Sequence, residues 1–193
     1  MKHIDEEQLQ HDMQARYEFL ADFIGFSPED VQLIQASAPH IGPNVGQLVD
    51  QTYEKLLSFD ATARHFLLPQ AGSDEHAATD LAKLSVDHPQ IKFRKDHLNR
   101  YFIALIGRSY DVAMIRYLDM VGKMHTSHAG NSDIQVPLIQ MNALMGLISD
   151  LLTRTLMHSS LGDETKLATI RAFQKLLWIQ NDFINRHYTS DAS

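Results

Sequence analysis

Met13, Tyr17, Leu20 and Ile24 fall at steps of four, three and four residues, the spacing that brings side chains onto one face of an α-helix. Gly25 can end that helix, which occupies the segment 13–26. Ser27-Pro28-Glu29-Asp30 then reads as a new start: Ser27 can cap, Pro28 suits the first helical position, and Asp30 stands where a capping box needs an acceptor. This short helix stops near Pro39, Ile41-Gly42-Pro43 makes a turn, and a longer helix carries Val45, Leu48, Val49, Thr52, Tyr53, Leu56 and Leu57 on its apolar side. Asp60 is expected to cap a short turn running through Phe66. Residues 69–76 read as a loop followed by a helix start, and Ala78 to Leu84 as a short helical piece broken at Asp87-His88-Pro89. Ile91, Leu98, Tyr101, Phe102, Leu105 and Ile106 trace the next helix, up to Gly107. Asp111 begins another, which is expected to reach His125 or His128 before the polar loop Ser127 to Asp133.

The last third is the most periodic. Val136 to Met157 presents Leu138, Met141, Leu144, Met145, Ile148, Leu151 and Leu152, and a final helix carries Leu167, Ile170, Phe173, Leu176, Leu177, Ile179, Phe183 and Ile184. No segment alternates as a strand, and residues 1–12 are polar enough to fray. The pattern predicts one all-α domain over residues 1–193.

Composition narrows the possibilities. Hydrophobic residues make up 44% and charged ones 21% of the chain, the balance of a packed globule. Seventeen Lys and Arg against 24 Asp and Glu give a net charge of −7 with no basic block, which argues against nucleic acid as a partner. The absence of cysteine removes disulfides, thiolate metal sites and cysteine nucleophiles. The acidic start lacks a secretory pattern, and nowhere do about 18 apolar residues run unbroken, so no membrane span and a cytoplasmic location are expected.

Most of the eleven histidines stand in polar or boundary sequence. His125 differs, because Met114, Leu118, Val121 and His125 step by four, three and four along one helix. Gly122, lacking a side chain, would let something bulky approach there. Spacing leaves two readings open: a core histidine whose ring nitrogen meets a backbone carbonyl, or an axial metal ligand with its other nitrogen held by a carbonyl or water. Zinc is disfavoured, since His125 and His128 supply two ligands at most, whereas haem needs one protein ligand and a greasy slot. Tyr53, on an apolar helix face, is equally open: its hydroxyl either reaches a backbone carbonyl or points at a small ligand.

Several stretches are similar to those of a known family. Ser109-Tyr110-Asp111 followed by Arg116-Tyr117-Leu118-Asp119-Met120-Val121-Gly122-Lys123-Met124-His125 resembles the part of protoglobins, and of the globin domains of globin-coupled sensors, where a Tyr-Asp pair opens the proximal helix and Gly-x-x-His supplies the iron ligand. Arg16-Tyr17-Glu18-Phe19-Leu20 with Ser27-Pro28-Glu29-Asp30 resembles the N-terminal extension and first globin helix, Asp50-Gln51-Thr52-Tyr53 the helix of the distal tyrosine, and Val136-Pro137-Leu138 the start of a later helix. The likeness runs from about residue 13 to residue 188.

The resemblance implies a globin-like fold of protoglobin type with an N-terminal helical extension. It implies haem b held by His125 as the metal ligand, with Leu118 and Val121 beside it, and a diatomic gas facing Tyr53. Leu98 falls where protoglobins place a bulky aromatic, which implies more room over the iron. Arg94 stands near the place where animal globins hold a distal histidine, and no histidine matches there. Lys92, Arg94 and Arg116 are candidate partners for the haem propionates. Relatives dimerise through their last two helices, which here implies Leu144, Met145, Gly146, Ile148 and Leu151 meeting Phe173, Leu176, Leu177 and Trp178 across a two-fold axis. With nothing following Ser193, a stand-alone form is expected, any signalling partner being a separate chain. An oxygen, carbon monoxide or nitric oxide sensor or carrier is the leading expectation; a haem enzyme acting on nitric oxide or peroxide, and a haem-free helical interaction module, are the alternatives.

Overall fold

The computed structural model describes residues 1–68, 78, 80–129 and 133–189; the loop expected over 69–76 and part of that expected over 127–133 lie outside them. Among the described residues there is no strand, and ten α-helices are joined by short 3₁₀ turns. None of the helices among the described residues is long and apolar enough to cross a membrane.

Part of the polar N-terminal stretch is helical. Asp5 accepts hydrogen bonds from the backbone N–H groups of Glu7 and Gln8, both at 3.1 Å, and so starts α1 (Glu6–His11). Polar helices can persist when their first N–H groups are capped and their acidic residues sit in the first turn. Helix α2 (Met13–Ile24) ends at Gly25, whose φ of +68° is the left-handed cap that glycine adopts without a Cβ clash. The predicted capping box opens α3 (Pro28–Ala36): the Ser27 N–H donates to Asp30 at 2.8 Å, and the Ser27 hydroxyl accepts from the Asp30 N–H at 3.4 Å. Lys175 Nζ donates to Asp30 Oδ2 and to the Gly25 carbonyl, both at 2.7 Å, pinning this corner to the last helix.

After α4 (Ala38–Ile41) comes α5 (Val45–Leu57), then α6 (Asp60–Ala63) and a 3₁₀ turn over Arg64–Leu67. Asp60 is the first residue of α6 rather than its cap, and no side chain caps that helix. The piece expected over 78–84 is a single 3₁₀ turn, Leu81–Lys83, whose Asp80 cap accepts from the Ala82 N–H at 3.0 Å. Helices α7 (Pro89–Gly107), α8 (Val112–Lys123), α9 (Leu138–Met157) and α10 (Asp163–Thr189) complete the chain. Helix α10 packs along α9, α8 and α3, and α5 packs on α7 and α9. Phe102, Leu105, Leu118, Phe173, Leu176 and Phe183 are buried at the centre.

Two expectations about the last helices change in the packed chain. Met145, Ile148, Leu151, Phe173, Leu176 and Leu177 are buried within the one chain, while Gly146 and Trp178 are exposed. The wide apolar faces therefore serve the intramolecular core, because α10 must cover α9 and α8 together. Gly122 is the second correction. A Cβ built there would lie 2.5 Å from the Phe183 carbonyl oxygen and 2.9 Å from Ile184 Cα, so what approaches the glycine is the backbone of α10. Gly122→Ala is expected to cost about 1–3 kcal/mol by forcing two packed helices apart, which a melting curve would register as a fall of several degrees at roughly 2–4 °C per kcal/mol. An unchanged melting temperature would show that the contact yields freely.

Asp119 strengthens the same helix pair. Its carboxylate accepts from Arg186 at 2.7 Å and from His187 Nε2 at 2.9 Å, both on α10. Burial raises its pKa, but these two hydrogen bonds outweigh it and hold the carboxyl below the ordinary aspartate value.

Candidate functional site

The turn between α7 and α8 is built by the Tyr-Asp pair. The Tyr110 hydroxyl donates to the Leu105 carbonyl at 2.7 Å, tying the turn to the end of α7, and Asp111 starts α8 by accepting from the Met114 N–H at 3.0 Å. The regular helix stops at Lys123, short of the expected end; His125 lies in a tighter turn just beyond, its N–H donating to the Gly122 carbonyl at 3.3 Å. The chain leaving it is also held, since the His125 carbonyl accepts from the Val136 N–H at 3.0 Å.

His125 Nδ1 lies 2.8 Å from the Val121 carbonyl oxygen. A carbonyl only accepts, so Nδ1 carries the proton and Nε2 keeps its lone pair. No residue described pairs with Nε2. Burial pushes the imidazole below its ordinary pKa, more than the hydrogen bond to Val121 raises it, and so favours the neutral ring that a metal requires. Among the described residues no three His, Asp or Glu side chains gather as a metal cage, so His125 is a single donor.

His125 faces a cavity of about 880 Å³ walled by α5, α7, α8 and α9, with Ile184 of α10 behind, within the span of roughly 300–1,000 Å³ usual for ligand pockets. Tyr53 and Phe66 line it with their rings 5.6 Å apart. Tyr53 is 7% exposed and its hydroxyl has no hydrogen-bond partner among the described residues; burial raises its pKa, so it is a protonated donor. Among the described residues lining the cavity, Arg94, Arg100 and Arg108 are cationic and none is Asp or Glu, although the chain's net charge is −7.

The protoglobin sequence profile matches residues 13–193. The chain belongs to the protoglobin family. Among solved structures it is similar to the globin domain of a Geobacter sulfurreducens globin-coupled sensor, with 20% identity, a TM-score of 0.69, and coverage of 89% of this chain and 96% of that one. No curated protein matches it. As a protoglobin it is a haem globin, and its cavity suits that group on its own chemistry: one neutral imidazole with an unpaired nitrogen, apolar walls, and cations for the porphyrin carboxylates.

In this protoglobin the cavity collects His125, Tyr53, Leu98, Arg94 and Val121, residues from three helices and the turn after α8. Leu118 and Arg116 do not line it. Leu118 is buried in the core, its carbonyl accepting from Gln180 Nε2 at 3.1 Å, and Arg116 is exposed. The reason is that α8 has two inward faces. Tyr117, Met120, Val121, Met124 and His125 line the cavity at steps of three, one, three and one, while Met114, Ile115, Leu118 and Gly122 are buried on the other side. The stripe read from the sequence crossed from one face to the other. Lys92 is exposed, 3.8 Å from Asp87, and is also off the cavity.

Arg100, Arg108, His65 and His97 line the cavity and were not singled out in the sequence. For α7 a signal existed: Arg94, His97, Leu98, Tyr101, Ala104 and Arg108 form a helical stripe through Leu98. Arg100 and Arg108 are solvent-exposed, the latter 5.3 Å from the Tyr117 ring. His65, in the turn before the undescribed loop, carried no periodic signal.

Proposed function

We propose that this protoglobin binds haem b through His125 and takes up a diatomic gas, either dioxygen, carbon monoxide or nitric oxide, as a sensor or carrier. The observation that carries the reading is the His125 imidazole: its Nδ1 is fixed by the Val121 carbonyl, and its Nε2, at the wall of a largely apolar cavity, has no partner among the described residues. A core histidine with both nitrogens satisfied would have argued for the haem-free alternative.

When bound, haem supplies an iron able to take a neutral diatomic ligand. The chain does the rest. Val121 orients the His125 ring and makes its far nitrogen more basic. Leu98, Val121 and Met141 exclude water. Exposed Arg100 and Arg108 would pair with the porphyrin carboxylates, the role that the sequence offered to Lys92, Arg94 and Arg116. Tyr53 donates its hydroxyl hydrogen to the gas. Protein made with added haem precursor is expected to show a strong Soret band that shifts under carbon monoxide; colourless protein overturns the reading.

Self-association through the last two helices belongs to the same proposal, on a narrower surface than the sequence indicates. Leu167 and Trp178 are 61% and 67% exposed, and their spacing of about three helical turns puts them on one face of α10. Light scattering at low concentration is expected to report a dimer for the natural chain and a monomer for Trp178→Glu; a monomer in both removes the contact.

A further inference from the structure

Arg94 is a cation with no carboxylate partner among the described residues. The side chain is half-buried on α7 and faces the cavity. Its Nη2 donates to the Leu68 carbonyl at 2.9 Å and its guanidinium carbon lies 5.1 Å from the centre of the Phe66 ring. Its Nε is buried with no acceptor, and no carboxylate among the described residues pairs with it. A guanidinium has five N–H donors in a fixed fork, and here a single hydrogen bond occupies it. Beside it on the same wall stands Tyr53, more than nine-tenths buried, whose hydroxyl has no hydrogen-bond partner among the described residues. A guanidinium whose Nε is buried without an acceptor is under-satisfied, and an anion within reach would complete it.

We infer that Arg94 and Tyr53 make this cavity selective for a small, hydrogen-bond-accepting monoanion, taken as a second class of ligand besides neutral gases. The inference rests on the haem reading above. The guanidinium supplies charge and a directed N–H, and the phenol a second donor, so that an anion arriving in the cavity replaces its water shell with two fixed partners. The porphyrin carboxylates are the other source of negative charge. Two exposed cations, Arg100 and Arg108, stand at the cavity for them. Arg94, with its buried Nε, is left for the interior.

The test is a titration of the oxidised haem protein with fluoride and with nitrite, followed at the Soret band at fixed ionic strength, with imidazole as the neutral comparison. For Arg94→Met the ratio of fluoride to imidazole affinity, and that of nitrite to imidazole, is expected to fall by about tenfold or more. Arg94→Lys, which keeps the charge and loses the fork, is expected to recover part of it. Ratios unchanged in both variants overturn the inference. So does a difference that disappears when the protein is reconstituted with the dimethyl ester of haem, because Arg94 would then be serving a propionate. Natural protein with a normal Soret band but no preference for anions defeats this inference alone, whereas natural protein without the band defeats the haem reading beneath it.

Discussion

His125→Ala protein, expressed without added imidazole, loses most of its haem: the Soret absorbance relative to protein falls by at least about tenfold, the scale on which even the supporting partners of a metal ligand act. Two features make this the largest effect expected of a single substitution. Among the described residues no cluster of His, Asp or Glu stands in as an alternative metal site, so on the proposed reading the iron would be left without a protein ligand. The apolar walls remain, and burial of a porphyrin face at roughly 25 cal/mol per Å² still favours some loose binding, so the loss is deep without being total. Imidazole supplied in solution is expected to restore part of the spectrum by entering the space vacated by the side chain. Full retention of a normal ferrous spectrum in the alanine protein would show that iron is held elsewhere.

The second large effect concerns Tyr53. Tyr53→Phe preserves the ring that meets Phe66 at 5.6 Å and removes only the hydroxyl. Dioxygen drawn toward a ferrous centre gathers negative charge on its outer atom, and carbon monoxide gathers far less, so a hydroxyl donor discriminates between them. A hydrogen bond of this kind contributes on the order of 1.5 kcal/mol, and its loss should speed oxygen release about tenfold while leaving carbon monoxide release nearly unchanged. Stopped-flow displacement of oxygen measures this directly. Equal acceleration for both gases would point to a looser pocket, and no acceleration to a phenol turned away from the ligand. Burial holds the phenol protonated across the working pH range, so the donor is present throughout.

The two substitutions also separate the roles of the cavity walls. The wall formed by the end of α8 holds His125, and the wall formed by α5 and α7 holds Tyr53 and Arg94. Haem retention reports on the first. Oxygen kinetics and anion preference report on the second, the phenol acting on both and the guanidinium chiefly on the charged ligand.

How much of this was legible beforehand differs by residue. The capping box at Ser27, the left-handed end at Gly25 and the start of α8 at Asp111 were readable because each depends on side chains within three or four positions. His125 stood out because a polar ring on an apolar stripe is itself a local anomaly. Leu118 was misplaced for an equally definite reason: a helix covered on two sides shows two apolar stripes that overlap in sequence, and periodicity does not say which one faces a cavity. The polarity of residues 1–12 points to fraying, whereas the Asp5 cap that starts a helix over Glu6–His11 is a single side chain with no periodic pattern behind it.

By itself, then, the sequence determined the helices, most of their limits and the identity of His125 and Tyr53 as the unusual polar groups, since spacing along one chain is enough to set a face and a cap. Only the tertiary structure decided what each face meets. It turned Gly122 from an opening into the seat of the α10 backbone and drew most of the presumed dimer face into the core. It also gathered Arg94, Arg100 and Arg108 around a cavity to which the described residues bring no carboxylate. Those outcomes depend on how helices far apart in sequence cross, and the charge around a cavity is a sum over all of them that no single segment carries.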